Sequence, residues 1–306
     1  MTARELRRVT KLVHEPRDDL KTPAGRRLYT LPLHRRDSIG SAYHVLTFDA
    51  PEPIDALPGQ FAMVRSSTWG EAPLLPRPMS LLTAGTRPSI LIKVVGEGTA
   101  SMAHASSGEP FHLLAPLGKP WSRRPADHTV VLVAGGVGVA PLVYLARDLA
   151  DRAGASASVA APPRMIALYG ARTHHDLPLH EELGGVTDLR IATEDGSRGE
   201  RGRVTVLLDQ ALRELAGRKV KIYACGPDRM MAAVAKLCAA QGTDCEVSLE
   251  TPMACGYGVC LGCPVRRVAG GFLYACTEGP CVDAAQIAWD EPPTRADAGA
   301  PPRGGL

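Results

Sequence analysis

Residues 129–141 read Thr129-Val130-Val131-Leu132-Val133-Ala134-Gly135-Gly136-Val137-Gly138-Val139-Ala140-Pro141. The first six are apolar or β-branched and do not alternate with polar residues, which is the pattern of a parallel strand covered on both faces. Glycines follow. Then Leu142, Leu145, Ala146 and Leu149 recur at i, i+3, i+4 and i+7, the spacing of one helical face. Strand, glycine turn and helix in this order form the entry to a nucleotide-binding βα unit. The turn is not the usual G-x-G-x-x-G, because Pro141 stands where the third glycine would be. Proline is tolerated in a first helical turn, so the backbone could still approach a pyrophosphate.

The alternation continues downstream. Residues 164–170 read as a second strand ending in Ala171-Arg172-Thr173, and 189–193 as a third ending in Glu194-Asp195-Gly196-Ser197. A helix is expected over 204–215. A fourth strand over 219–225 ends in Gly226-Pro227-Asp228, and a helix over 229–241 carries Met230, Val234 and Leu237. Strands alternating with helices imply a parallel sheet with its ligand loops at the strand C-termini. Residues 153–163 are rich in Ala, Ser and Pro and read as a surface loop. His174, His175 and His180 share the loop after the second strand, either as surface residues or as a metal site.

Upstream the pattern differs. Short strand-like runs at 27–31, 42–48, 61–65, 89–95 and 111–115, separated by Gly/Pro turns, suggest a small antiparallel barrel. Within it, Arg77-Pro78-Met79-Ser80 sets a guanidinium and a hydroxyl three residues apart on an extended segment, since proline biases its neighbour away from helix. Both groups could meet one phosphate, or Arg77 could be an exposed strand residue. Gly96-Glu97-Gly98-Thr99 precedes a helical run at 100–105. It is either an anion-binding turn or a plain turn with Thr99 as N-cap.

The C-terminal part contains Cys255, Cys260 and Cys263, spaced C-x4-C-x2-C, with Cys276 twelve residues further on. This is the plant-type [2Fe–2S] spacing. Gly256, Gly258 and Gly262 let a loop curl so that amide N–H groups approach the sulfurs. A zinc site using Cys260-x-x-Cys263 and two other cysteines is the alternative. A strand at 245–250 leads into this loop, and 264–268 with 271–275 read as a hairpin returning the chain to Cys276.

Composition narrows the class. The chain has 306 residues, 45% hydrophobic and 22% charged, with a net charge of +3. That is the profile of a soluble globular protein with more than one domain. Basic residues do not interleave with aromatics, so nucleic-acid binding is not expected. No apolar run reaches the length of a membrane span. The first residues lack an apolar stretch of the secretory kind, and eight cysteines are too sparse for a disulfide scaffold. A reduced, cytoplasmic setting is expected. The domain plan is a polar extension (1–25), an antiparallel barrel (26–125), a nucleotide-binding α/β domain (126–244), a cluster subdomain (245–289) and a disordered tail (290–306).

Taken in order, R-P-M-S, G-E-G-T, A-G-G-V-G-V-A-P, Y-G-A-R, E-D-G-S, C-G-P and the cysteine pattern resemble the ferredoxin–NADP⁺ reductase superfamily. More narrowly, the chain is similar to the electron-transfer subunits of the two-subunit, NAD-dependent dihydroorotate dehydrogenases. The resemblance runs from about residue 26 to residue 289. It implies FAD held by Arg77, Pro78, Met79 and Ser80, with Leu91, Ile92 and Lys93 lining the isoalloxazine and Gly98 and Thr99 taking the pyrophosphate. It implies NAD(H) received by the turn of Gly135, Gly136, Gly138, Ala140 and Pro141 and by the loop Cys225, Gly226, Pro227 and Asp228. Cys255, Cys260, Cys263 and Cys276 would bind the cluster, with Cys281 as a rival fourth ligand. Arg172 keeps NADP(H) open, because an arginine there could meet a 2′-phosphate.

Electron counting orders these parts. A nicotinamide gives two electrons as a hydride, a cluster takes one at a time, and a flavin does both, so the flavin lies between them. No side-chain acid or base is required, and no catalytic residue is nominated. The resemblance implies a catalytic redox subunit as partner, an FMN-containing dihydroorotate dehydrogenase, in a hetero-oligomer serving pyrimidine biosynthesis. A relative serving a hydrogenase, a sulfide dehydrogenase or a transhydrogenase is a second reading. A flavin and iron–sulfur redox sensor without turnover is a third.

Overall fold

The computed structural model describes residues 25–123, 127–155 and 165–289. Most of the expected extension (1–24), most of the expected surface loop (156–163) and the tail (290–306) lie outside the described residues.

The N-terminal part is a closed six-stranded antiparallel barrel. Its strands are β1 (Arg27–Ile39), β2 (Tyr43–Phe48), β3 (Phe61–Ser66), β4 (Arg77–Thr83), β5 (Ser89–Lys93) and β6 (Pro110–Leu117), in the order β1-β2-β5-β4-β3-β6. Alternation places every second side chain inside. Leu31, Phe48, Val64, Leu81 and Phe111 fill the interior, none more than 1% exposed. The Phe48 and Phe111 rings meet edge to face at 5.3 Å. Helix α1 (Glu97–His104) links β5 to β6. It begins earlier than expected, at Gly96 rather than Thr99. The Thr99 hydroxyl reaches back to accept from the amides of Val95 (2.9 Å) and Gly96 (3.2 Å), so Thr99 closes the first turn from inside it.

The second part is built on a seven-stranded sheet. Its parallel strands are β7 (Thr129–Gly135), β8 (Met165–Ala171), β9 (Asp188–Thr193), β10 (Glu200–Arg201), β11 (Val220–Cys225) and β12 (Asp244–Ser248). The helices are α2 (Val139–Ala155), α3 (His180–Gly184), α4 (Val204–Glu214) and α5 (Asp228–Ala240). Two short strands, β13 (Pro264–Arg266) and β14 (Phe272–Tyr274), form the expected hairpin, and β15 (Cys281–Asp283) joins the large sheet antiparallel to β12. Sheet order is β10-β9-β8-β7-β11-β12-β15. The chain winds outward from β7 in one direction and then crosses to β11 on the other side. The β7/β11 junction is therefore the topological switch point, where the crevice of such a sheet opens.

Three strands and helices went unseen in the sequence. β10 is two residues and β15 three residues long, and α3 is a five-residue helix entered through Leu179 at φ 57°. All three are too short for a periodicity to register. Because β12 and β15 pair in the large sheet, the segment from Leu249 to Pro280 is a loop and hairpin inserted between two neighbouring strands. The barrel docks on the α2 face of the sheet, where Tyr43, Leu82 and Leu91 pack with Val139, Leu142 and Tyr169 in one apolar cluster.

Candidate functional site

At the switch point the two turns expected to receive a dinucleotide touch. A Cβ added to Gly138 would lie 2.5 Å from the Cys225 carbonyl oxygen, and one added to Gly135 would lie 2.5 Å from Met230 Sδ and 2.9 Å from Pro227 Cδ. Only glycine lets β7 and β11 bring these turns so close. Residues Gly136–Gly138 form one turn of 3-10 helix, Val139 and Ala140 start α2, and Pro141 is its third residue. Gly226-Pro227-Asp228 leads directly into α5, so a second helix N-terminus faces the same crevice. The Tyr169 hydroxyl, on buried β8, donates to the Gly136 carbonyl at 2.8 Å and lies 3.0 Å from that of Pro178, fixing the glycine turn from below.

On the barrel, Arg77 and the first turn of α1 meet, although twenty residues separate them. A Cβ on Gly98 would lie 2.9 Å from Arg77 Nε. The guanidinium stands 6.0 Å from the Trp69 ring and donates to the Leu75 carbonyl at 2.8 Å. Among the described residues it has no carboxylate partner. A cation without a counter-charge, set against free helix N–H groups, suits a phosphate. The register pairs Phe61 with Ser80 and Met63 with Pro78. Phe61 and Met63 pack outside the barrel, against the cysteine loop, so Pro78 and Ser80 present the same outer face. Met79 packs against the interior.

The residues expected to line the isoalloxazine separate. Leu91 faces the domain junction. Ile92, 1% exposed, points into the barrel core, because successive strand residues take opposite faces. Only its backbone is free to meet a flavin. Lys93 is drawn aside: its Nζ is 3.0 Å from Asp176 Oδ1, and the Tyr43 hydroxyl donates to the same oxygen at 2.7 Å. The Tyr43 hydroxyl, then Lys93, hold the Asp176 carboxyl below its ordinary value against a smaller opposing effect of burial. This three-residue latch joins β2 and β5 of the barrel to the loop after β8.

The cysteine loop gathers four thiols in two pairs. Cys255 is hydrogen-bonded with Cys260, and Cys263 with Cys276. Amides point at the sulfurs: Tyr257 N and Cys260 N to Cys255 Sγ at 3.5 and 3.4 Å, Gly262 N to Cys260 Sγ at 3.4 Å, and Cys276 N to Cys263 Sγ at 3.4 Å. Burial raises the Cys255 pKa, but the amides of Cys260 and Tyr257 outweigh it and bring the thiol to about 7. The Cys276 thiol holds Cys263 at about 6, and Cys276 is itself raised, so one proton is shared between them. Among the described residues no three ligands converge on a single point, as one zinc ion would ask. Two pairs, each lined with amides, suit two irons.

Gly256, at φ 77°, has no room for a side chain because Met63 fills the space. The loop therefore sits on β3, one strand from the outer face of β4. Cys281 lies elsewhere: it is 5% exposed in β15, packed with Trp121, its Sγ 3.6 Å from the Gly59 carbonyl. His174 and His175 stack at 3.8 Å, and His180 Nδ1 is 2.7 Å from the Leu177 carbonyl; they form no cluster of metal ligands. Sequence reasoning missed Asp176 and Tyr43, which meet only across the domain junction.

Comparison with known proteins follows the same division. A family described as the oxidoreductase NAD-binding domain matches residues 132–236. The iron–sulfur cluster binding domain of dihydroorotate dehydrogenase B matches residues 250–288. The chain is 33% identical over 257 residues to the dihydroorotate dehydrogenase B (NAD(+)) electron transfer subunit of Desulforamulus reducens, covering 81% of this chain and 93% of that one. It is 33% identical over 224 residues to the Clostridium acetobutylicum subunit of the same name, covering 73% and 82%. Among solved structures, an NADH-dependent reduced ferredoxin-NADP oxidoreductase superposes with a TM-score of 0.73 at 25% identity, over 86% of this chain and 91% of that one. The ferredoxin reductase in carbazole 1,9a-dioxygenase shares the fold, with a TM-score of 0.61 at 18% identity over 71% and 67%.

Proposed function

The chain belongs to the family of dihydroorotate dehydrogenase B electron transfer subunits, and from that premise we propose how its own residues divide the work. It is an oxidoreductase subunit that passes electrons between NAD(H) and a catalytic partner through FAD and a [2Fe–2S] cluster, in the service of dihydroorotate oxidation. The observation that carries the assignment of residues is convergence. Helix α2, which starts from the Gly138 turn of the crevice, packs against β4, and β4 pairs with β3, on which the cysteine loop packs through Met63.

Arg77 and the first turn of α1, at Gly98 and Thr99, would hold the FAD phosphates, with Pro78 and Ser80 against the flavin. Gly135, Gly136, Gly138, Ala140 and Pro141 would receive the nicotinamide dinucleotide, together with Cys225, Gly226, Pro227 and Asp228. Cys255 with Cys260, and Cys263 with Cys276, would each bind one iron; that Cys276 packs with Cys263 while Cys281 packs with Trp121 supports Cys276 as the fourth ligand. When bound, the flavin converts a two-electron hydride into single electrons that a cluster accepts. The latch of Tyr43, Lys93 and Asp176 holds barrel and sheet in register, so that the two halves of the crevice face each other.

Val259 is 72%, Leu261 48% and Tyr257 42% exposed around the cysteine loop. An apolar rim there supports contact with the catalytic subunit at the exit of the electrons. None of the eight cysteines is in a disulfide and no described helix is long and apolar enough to cross a membrane; the first of these supports a cytoplasmic site. The test is anaerobic mixing of the purified holoprotein with NADH. Flavin absorbance should bleach and the cluster should then become reduced. A flavin that NADH leaves oxidised removes this reading, and the absence of a co-purifying dihydroorotate-oxidising subunit removes its terminal substrate.

A further inference from the structure

The two halves of the expected FAD phosphate site, Arg77 and the first turn of α1, share one buried neighbour. Trp69 lies in the loop between β3 and β4 and is 7% exposed. Its main chain is pinned. The Trp69 amide donates to the Ser66 carbonyl at 3.3 Å, and the Arg65 guanidinium donates to the carbonyls of Trp69 (2.9 Å) and Gly70 (2.7 Å). The indole belongs to the same apolar cluster as Met102 and Ala103 of α1. Its N–H donates to the Ser101 hydroxyl, one helical turn beyond Gly98, at 2.7 Å. The ring edge would lie 3.2 Å from a Cβ on Gly98, and the Arg77 guanidinium carbon is 6.0 Å from the ring centroid. One side chain therefore meets the strand residue and the helix turn at once, although they come from distant parts of the barrel sequence.

An arginine side chain samples many rotamers, and fixing it on binding costs conformational entropy. Arg77 is confined by its neighbours instead. Its Nη1 donates to the Leu75 carbonyl at 2.8 Å, the indole lies within cation–π range, and the missing Cβ of Gly98 leaves room for Nε. Donors ordered in advance bind more tightly, because less order is imposed when the ligand arrives. We infer that Trp69 is the positioning residue of the FAD phosphate site. Through its ring it holds the Arg77 guanidinium, and through Ser101 it holds the N-terminal turn of α1, so that both face one pyrophosphate. It acts through these groups and touches no reacting atom. The flavin end of the site, at Pro78 and Ser80 on β4, does not depend on it. The assignment rests on the reading of Arg77, Gly98 and Thr99 as the FAD phosphate site.

The test titrates the full-length chain, freed of flavin, with FAD and with riboflavin, which carries no phosphate, following flavin fluorescence. Trp69→Leu should weaken FAD binding by about 10-fold, from the lost cation–π contact and hydrogen bond together. Trp69→Phe keeps a ring face for Arg77 and should bind FAD within about threefold of the unaltered protein. Ser101→Ala suits a helix and leaves the indole in place; it should cost about threefold by removing the same hydrogen bond from the other side. It decides the matter even where Trp69→Leu does not fold. Riboflavin affinity should stay within about twofold in all three variants, because the phosphate contacts it lacks are the ones disturbed. Because Trp69 acts largely through Arg77, adding Trp69→Leu to Arg77→Ala should cost no more than about a further threefold. The full loss in that background, an equal loss for riboflavin, or an unchanged FAD affinity in both Trp69→Leu and Ser101→Ala overturns the inference. An Arg77→Ala protein that keeps its FAD affinity would instead remove the phosphate-site reading itself, so the two failures are distinguishable.

Discussion

Asp176→Ala removes the acceptor at the centre of the latch between barrel and sheet, and the structure sets the size of the effect. Tyr43 is 2% exposed, and its hydroxyl donates to Asp176 at 2.7 Å. Hydrogen bonds to a charged group contribute about 1.5–3 kcal/mol, and a buried hydroxyl left alone keeps its desolvation cost. The Lys93 side chain is 38% exposed, so its ion pair at 3.0 Å adds no more than about 1 kcal/mol after screening. The sum is about 1.5–4 kcal/mol, which lowers the melting temperature by roughly 3–16 °C for a domain of this size. Tyr43→Phe keeps the ring and loses only the hydroxyl. In the double-mutant cycle, Tyr43→Phe and Asp176→Ala should therefore couple by about 1–2 kcal/mol. The pH dependence has a definite sign. The folded Asp176 pKa is below 3.8, so its contribution is present at neutral pH and is lost as pH falls below 3.8 through the lowered value. The gap between the unaltered protein and Asp176→Ala should thus close in acid. The assay is thermal melting of the four cycle members at neutral pH and at a pH below that window. Coupling under about 0.3 kcal/mol, or a gap that widens in acid, would refute the latch.

The other predictions concern the three cofactor contacts. Cys276→Ser should abolish the [2Fe–2S] absorbance of the purified protein, whereas Cys281→Ser should keep it; the opposite result moves the ligand to β15. Arg77→Ala should weaken FAD retention by about 10–100-fold in a flavin-binding titration, the worth of a charge-assisted phosphate contact. Arg77→Lys should recover only part, because a point charge does not replace the guanidinium fork. Gly138→Ala forces a Cβ against the Cys225 carbonyl and should cost about 1–3 kcal/mol of stability. It should also raise the NADH dissociation constant, and an unchanged constant would place the nucleotide elsewhere.

Local patterns carried the parts whose determinants lie close together along the chain. The apolar run at 129–134 with its glycine turn, the strands alternating with helices after it, and the C-x4-C-x2-C spacing each concern groups within about a dozen residues of one another. A strand, a helix face and a cluster loop are short-range objects, so composition and periodicity suffice to propose them. Even there, length limited what could be read, as β15 and α3 show. Pairing decided the rest. Alternation in β5 implies that Leu91 and Ile92 face opposite ways, yet only the barrel's closure makes the Ile92 side the interior. Lys93 is expected at the flavin from the resemblance, and only folding shows that Asp176 of the other domain comes within 3.0 Å of it. Cys281 rivals Cys276 by spacing, and only the pairing of β15 with β12 shows that it packs beside Trp121. The sequence by itself determined which cofactors this chain is made for, because the backbone turns and thiol spacings expected to bind them are local. The tertiary structure decided which of those expected residues come together and which neighbours they meet, because burial and charge depend on groups supplied from distant parts of the chain.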